Sequence, residues 1–141
     1  MGLIREEDAF DIRQRLQEMA SPVTLVHFTQ ELNLELGAET LQLMKELAAL
    51  SDKLSLQVFN FLLDQQKVAE YGVDKVPATV VHNGKDHGIR YYGLPAGYEF
   101  SALLDVILAV SKGDSGLLAT SRNKLAQLTH PLHLEVFVTP T

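Results

Sequence analysis

Val76-Pro77-Ala78-Thr79-Val80-Val81-His82-Asn83-Gly84-Lys85-Asp86-His87-Gly88-Ile89-Arg90-Tyr91-Tyr92 reads as two strands around a tight turn. Val76 to Val81 is apolar and β-branched, and proline is tolerated at the start of a strand, where no ladder amide is required. Asn83-Gly84 tolerates positive φ at both central turn positions, and Ile89-Arg90-Tyr91-Tyr92 answers as the partner strand. A β-hairpin is therefore expected late in the first two thirds of the chain.

Upstream, Phe10, Leu16 and Met19 recur at near-helical spacing among charges, which predicts an amphipathic helix over residues 6–20 ended by Ser21-Pro22. Residues 23–29 then form a strand without a clean polar face, as a central strand would. Leu41, Met44, Leu47 and Ala48 mark a helix over 37–52 with a broad apolar stripe. Leu54, Leu56 and Val58 alternate as a second strand, and residues 62–70 read as a short helix closed by Gly72. Downstream, Gly93-Leu94-Pro95-Ala96-Gly97 breaks the pattern before an apolar helix over 100–110. The order is α, βαβ, a further helix, a ββ hairpin and a closing helix. Right-handed crossover leaves few ways to assemble it. The expected class is α/β, with a mixed four-stranded sheet flanked by helices in a thioredoxin-like arrangement.

The chain also starts to repeat itself. Arg13, Leu16, Met19, Pro22, Leu25 and Phe28 recur as Arg122, Leu125, Leu128, Pro131, Leu134 and Phe137 at a constant offset of 109 residues. That period is the size of a domain and too long for a solenoid. The expected organisation is a complete unit over 1–114 and, after the linker Lys112-Gly113-Asp114-Ser115-Gly116, a stub of a second unit over 115–141. The stub comprises a helix over 122–128 and a strand over 132–138. Unpaired strand edges seek partners, so residues 132–138 are expected to pair with a sheet edge of their own unit or of a second copy, giving a homodimer.

Composition narrows the chemistry. The chain has a formal net charge of −6 and no cluster of Lys and Arg, which argues against nucleic acid as a partner. Its charged first twenty residues are no signal core, and no segment offers the ~20 apolar residues that span a bilayer, so no membrane partner is expected and the setting reads as cytoplasmic. There is no cysteine. Thiolate metal sites, disulfides and thiol nucleophiles are excluded for these residues.

Val76-Pro77-Ala78-Thr79, Asn83-Gly84-Lys85, the run from Gly88 to Gly97 and Glu99-Phe100 together resemble the N-terminal unit of the tandem glutaredoxin-like protein disulfide oxidoreductases. The likeness extends from Met1-Gly2-Leu3-Ile4 to Val136-Phe137-Val138-Thr139-Pro140-Thr141. It is similar, too, to the N-terminal domain of the alkyl hydroperoxide reductase flavoprotein, which carries two fused thioredoxin folds. The resemblance implies a cis peptide bond at Pro77 and substrate-binding backbone at Val76 and Pro77. It places the first cysteine pair between residues 29 and 38, where an ungapped match puts Leu34-Glu35-Leu36-Gly37. The implied function is a redox-inactive structural or substrate-docking unit of a two-unit oxidoreductase, with a protein or peptide as partner. A stand-alone peptide-binding module and the N-terminal domain of a peroxide-reducing flavoprotein system are the alternatives.

Other candidates carry less. Leu32, Leu34 and Leu36 form either an apolar platform or a helix start packed on its own sheet. His82 and His87 flank the turn and His130 and His133 flank Pro131, but neither pair has further ligands at standard spacing, so neither metal nor cofactor is expected. His27 reads as a partly buried, hydrogen-bonded strand residue. Tyr91, Tyr92 and Tyr98 make either a partner surface or edge-strand packing.

Overall fold

The computed structural model describes residues 2–30 and 35–139. Its elements are α1 (Glu6–Leu16), β1 (Val23–Thr29), α2 (Glu35–Ala48), β2 (Leu54–Asn60), α3 (Gln65–Tyr71), β3 (Ala78–His82), β4 (Asp86–Tyr92), α4 (Tyr98–Lys112) and α5 (Ala119–Ala126). The four strands make one mixed sheet in the order β2-β1-β3-β4. β1 runs parallel to β2, pairing Val23 with Leu54 through Thr29 with Asn60, and antiparallel to β3, pairing Thr24 with His82 through Phe28 with Ala78. β3 and β4 form the expected hairpin around Gly84, whose φ is +94°. This is the thioredoxin-like α/β arrangement.

Successive residues of a strand face opposite sides, and β1 fills a core on each side. Val23 and Leu25, with Val81 of β3, face Ile12 and Leu16 of α1, Met44 and Leu47 of α2, and Leu103 and Ile107 of α4. Val26 and Phe28, with Ala78 and Val80, face Phe59, Val68 and Tyr71 on the other side. Phe28 lies against Phe59 and Tyr71, with ring centroids 5.7 and 5.9 Å away.

Polar contacts lock the helices to this sheet. α1 places Glu6, Glu7 and Asp8 in its first turn and Arg13 and Arg15 in its last, complementing the helix dipole. Arg15 pairs with Asp105 of α4. Buried Ser111 donates its hydroxyl to the Leu108 carbonyl, and its own carbonyl accepts from the Ser21 hydroxyl at 2.5 Å, fixing the α1–β1 turn to the end of α4. Asn83 donates to the Val110 carbonyl at 3.1 Å, tying the hairpin turn to the same helix end.

Two expectations are corrected. Phe10 is not on the inward stripe of α1: it is exposed, while Ala9, Ile12 and Leu16 face the core. At about 100° per residue, Phe10 falls one helical step off the stripe that the sheet selects. Residues 132–138 form no strand; 131–139 are without regular structure and exposed throughout. Leu134, Val136 and Phe137 are 83–89% exposed, whereas their repeat counterparts Leu25, His27 and Phe28 are 0% exposed. Alternation gives a segment strand propensity, but a strand exists only where a partner backbone takes its hydrogen bonds.

Candidate functional site

The sheet end where β1 finishes and β3 begins is built from three connections. The Val76-Pro77 peptide bond is cis. Ala78 is registered opposite Phe28, so Pro77 lies just beyond the last registered pair, at the same end as the entry to α2. The Pro77 ring is buried and its carbonyl accepts from the Gly93 amide at 2.9 Å, joining the loop before β3 to the one after β4. Val76 is half-buried against the Val26 and Phe28 cluster.

Leu34-Glu35-Leu36-Gly37, where the resemblance would place a cysteine pair, falls partly outside the described residues, which leave out Leu32 and Leu34 and the side chain of Glu35. Of that segment, Leu36 is 52% exposed, while Gly37 and Thr40 turn inward. The Thr40 hydroxyl donates to the Leu36 carbonyl at 2.6 Å, closing the first turn of α2.

Beneath this end lies His27, fully buried rather than partly so. Its Nδ1 is 2.9 Å from the Thr79 hydroxyl on the neighbouring strand, and its Nε2 is buried without a hydrogen-bond partner among the described residues. Burial pushes the imidazole down from 6.5 to about 4, so it is neutral at pH 7.

Sequence reasoning missed a second feature. A groove of about 570 Å³ opens between α1, α2 and the start of α4. Ile4, Ile12, Leu43, Leu94, Phe100 and Leu104 form its apolar lining, and Asp8, Asp11 and Glu39 stand among them. One wall is held by a single carboxylate: Glu46 accepts from the Leu3 and Ile4 amides at 3.0 and 2.8 Å and from Gln42 at 2.7 Å. Those bonds, that from Ile4 first, hold the Glu46 carboxyl below its usual range. The lining comes from four separated segments, and no local pattern announces it.

The remaining candidates do not converge. His82 lies 3.4 Å from the Tyr71 hydroxyl, His87 bonds Asn83 and His133 bonds Glu135; no group of three metal-ligating side chains occurs among the described residues. Tyr91 packs on the core, Tyr92 lies under the Lys75 ammonium at 4.6 Å, and Tyr98 is exposed. No helix among the described residues is long and apolar enough to cross a membrane.

No protein-family model matches the chain, and no curated protein matches it. Solved structures do. A protein disulfide oxidoreductase from Aeropyrum pernix is similar at 31% identity and a TM-score of 0.79, over 89% of this chain and 55% of that one. The NTD_N/C domain of alkylhydroperoxide reductase AhpF from Enterococcus faecalis is similar at 26% identity and a TM-score of 0.77, over 86% of this chain and 60% of that one. A thioredoxin from Fasciola hepatica shares the fold at 18% identity and a TM-score of 0.53, over 72% of this chain and 93% of that one. The chain spans little more than half the length of the first two.

Proposed function

We propose that this thioredoxin-fold unit, similar to a protein disulfide oxidoreductase and to the AhpF domain, is the redox-inactive half of a two-unit disulfide oxidoreductase. Its role is structural or substrate-docking, and its partner is a protein or peptide. One observation carries the reading: the fold follows a disulfide oxidoreductase over 55% of that protein's length, yet none of the 141 residues is a cysteine. Disulfide exchange requires a thiolate to attack sulfur through a mixed disulfide, and no side chain here supplies one. The repeat supports the second half of the reading. Leu16 and Met19 are 1–2% exposed, while their counterparts Leu125 and Leu128 are 52–53% exposed, as core residues of a unit without the rest of its core would be.

The test is the mass of the native product together with reduction of a protein disulfide by dithiothreitol. The expected result is a product longer than 141 residues, with catalysis lost when residues 115 onward are removed and absent from the 141-residue chain alone. A native product ending at Thr141 overturns this reading.

A second reading, the stand-alone binding module, then leads. The end of the sheet at Val76 and Pro77 would take an extended peptide by strand addition. In that form the exposed residues 132–138 would pair between copies as a homodimer, which light scattering detects. The likeness to the AhpF domain supports a third placement, at the N-terminus of a peroxide-reducing flavoprotein system.

A further inference from the structure

We propose that the groove between α1, α2 and α4 is the docking site of this unit, and that its occupant is an apolar segment of a client protein flanked on both sides by Lys or Arg. The inference rests on the docking role proposed above and names the surface and the client chemistry.

Three features of the groove point to this occupant. Its volume and its mostly apolar lining with a few polar groups are those of a recognition cleft, where shape and apolar burial supply affinity. Its described lining residues include three carboxylates and no Lys, Arg or His. Asp8, Asp11 and Glu39 take part in none of the ion pairs among the described residues, as is also true of Glu6, Glu46, Asp52, Asp64 and Glu99; what sets the three apart is that they line one apolar groove. Unneutralised charge beside an apolar trough is completed by a partner of opposite sign.

The placement of the carboxylates selects a peptide over a compact cation. Asp8 and Asp11 lie three apart on α1 and so share one face of it, while Glu39 comes from α2. Carboxylates on two helices call for cations on both sides of an apolar insert. A chain with Leu or Phe between basic residues supplies that, and a ligand with a single cationic head does not. The Leu94-Pro95-Ala96-Gly97 turn closes the groove toward the Pro77 end of the sheet, since the neighbouring Gly93 amide bonds the Pro77 carbonyl. A client held here is therefore presented beside the sheet end where the redox motif of an active unit would stand.

The test uses the full 141-residue chain and two fluorescent peptides with the same Leu-Phe-Leu centre, one flanked by lysines and one by glutamates. The lysine peptide is expected to bind, to bind roughly tenfold more weakly to Asp8→Asn/Asp11→Asn/Glu39→Gln, and to weaken with added salt. Leu43→Ala is expected to weaken it without altering the salt dependence. Equal binding of both peptides, or binding indifferent to these changes, overturns the proposal. So does concentration-dependent self-association that the triple variant abolishes, because that places a second copy of this chain, not a client, in the groove. Binding as expected without any oxidoreductase activity in the native product would retain the groove and discard the two-unit reading.

Discussion

Arg90 on β4 holds the backbone carbonyl of Tyr71 at the end of α3 through two hydrogen bonds, from Nε at 3.1 Å and Nη2 at 2.8 Å. The same guanidinium grips Asp86 in a fork, at 2.9 and 2.6 Å, and lies over the Tyr71 ring. One mostly buried side chain thus closes the helix before β3 against the strand after it. Lysine keeps the charge but cannot reproduce the fork. Arg90→Lys is expected to cost about 2 kcal/mol in urea unfolding, as the loss of charge-assisted bonds would. A change under about 0.5 kcal/mol, the range of ordinary surface substitutions, would refute this role.

The His27–Thr79 pair sets an acid limit on stability. The folded imidazole titrates at about 4 and the unfolded one near 6.5, so the unfolded chain binds the extra proton between these values. The contribution is complete above pH 6.5 and is lost as pH falls toward 4, with a slope of up to about 1.4 kcal/mol per pH unit. His27→Leu/Thr79→Val replaces both partners by apolar groups and leaves neither orphaned. Urea unfolding between pH 4 and 7 should show the wild type losing stability more steeply than this double variant; parallel profiles would contradict it.

Phe28 and Phe137 occupy equivalent positions in the repeat but opposite environments, 0% and 89% exposed. Phe28→Ala leaves a cavity between Phe59 and Tyr71 and is expected to cost about 3–5 kcal/mol. Phe137→Ala is expected to lie within about 0.5 kcal/mol of wild type in this chain. On the two-unit reading proposed above, the two costs would converge in a longer chain.

Gly72 caps α3 with φ +61° and open space around its missing Cβ. Gly72→Ala therefore meets no clash and registers only the backbone cost of the left-handed region, about 1–2 kcal/mol. Thermal unfolding measures it, and an unchanged midpoint would rule that cost out.

What the sequence disclosed and what it withheld divide along the range of the interactions. The β3–β4 hairpin was legible because Asn83-Gly84 dictates its turn locally. β1 was legible as a central strand because both its faces are apolar. Phe10 misled because near-helical spacing does not say which phase the sheet will select. The alternation of Leu134, Val136 and Val138 misled because pairing depends on a distant backbone. Val76 and Pro77 were singled out through a linear motif, and the cis bond that the motif implied is present. The His27–Thr79 contact, 52 residues apart, and the acid-lined groove were invisible to any pattern confined to one segment.

Because Glu46 accepts from both the Leu3 and Ile4 amides, release of that one carboxylate would open part of the groove wall locally, without global unfolding. Amide exchange at those two positions would therefore be fast relative to β1. Extra residues placed ahead of Gly2, as an affinity tag places them, would act directly on a wall whose nearest neighbour, the Glu46 carboxylate, stands 3.1 Å from where a Cβ at Gly2 would sit. Groove measurements are best made on a chain tagged away from that end.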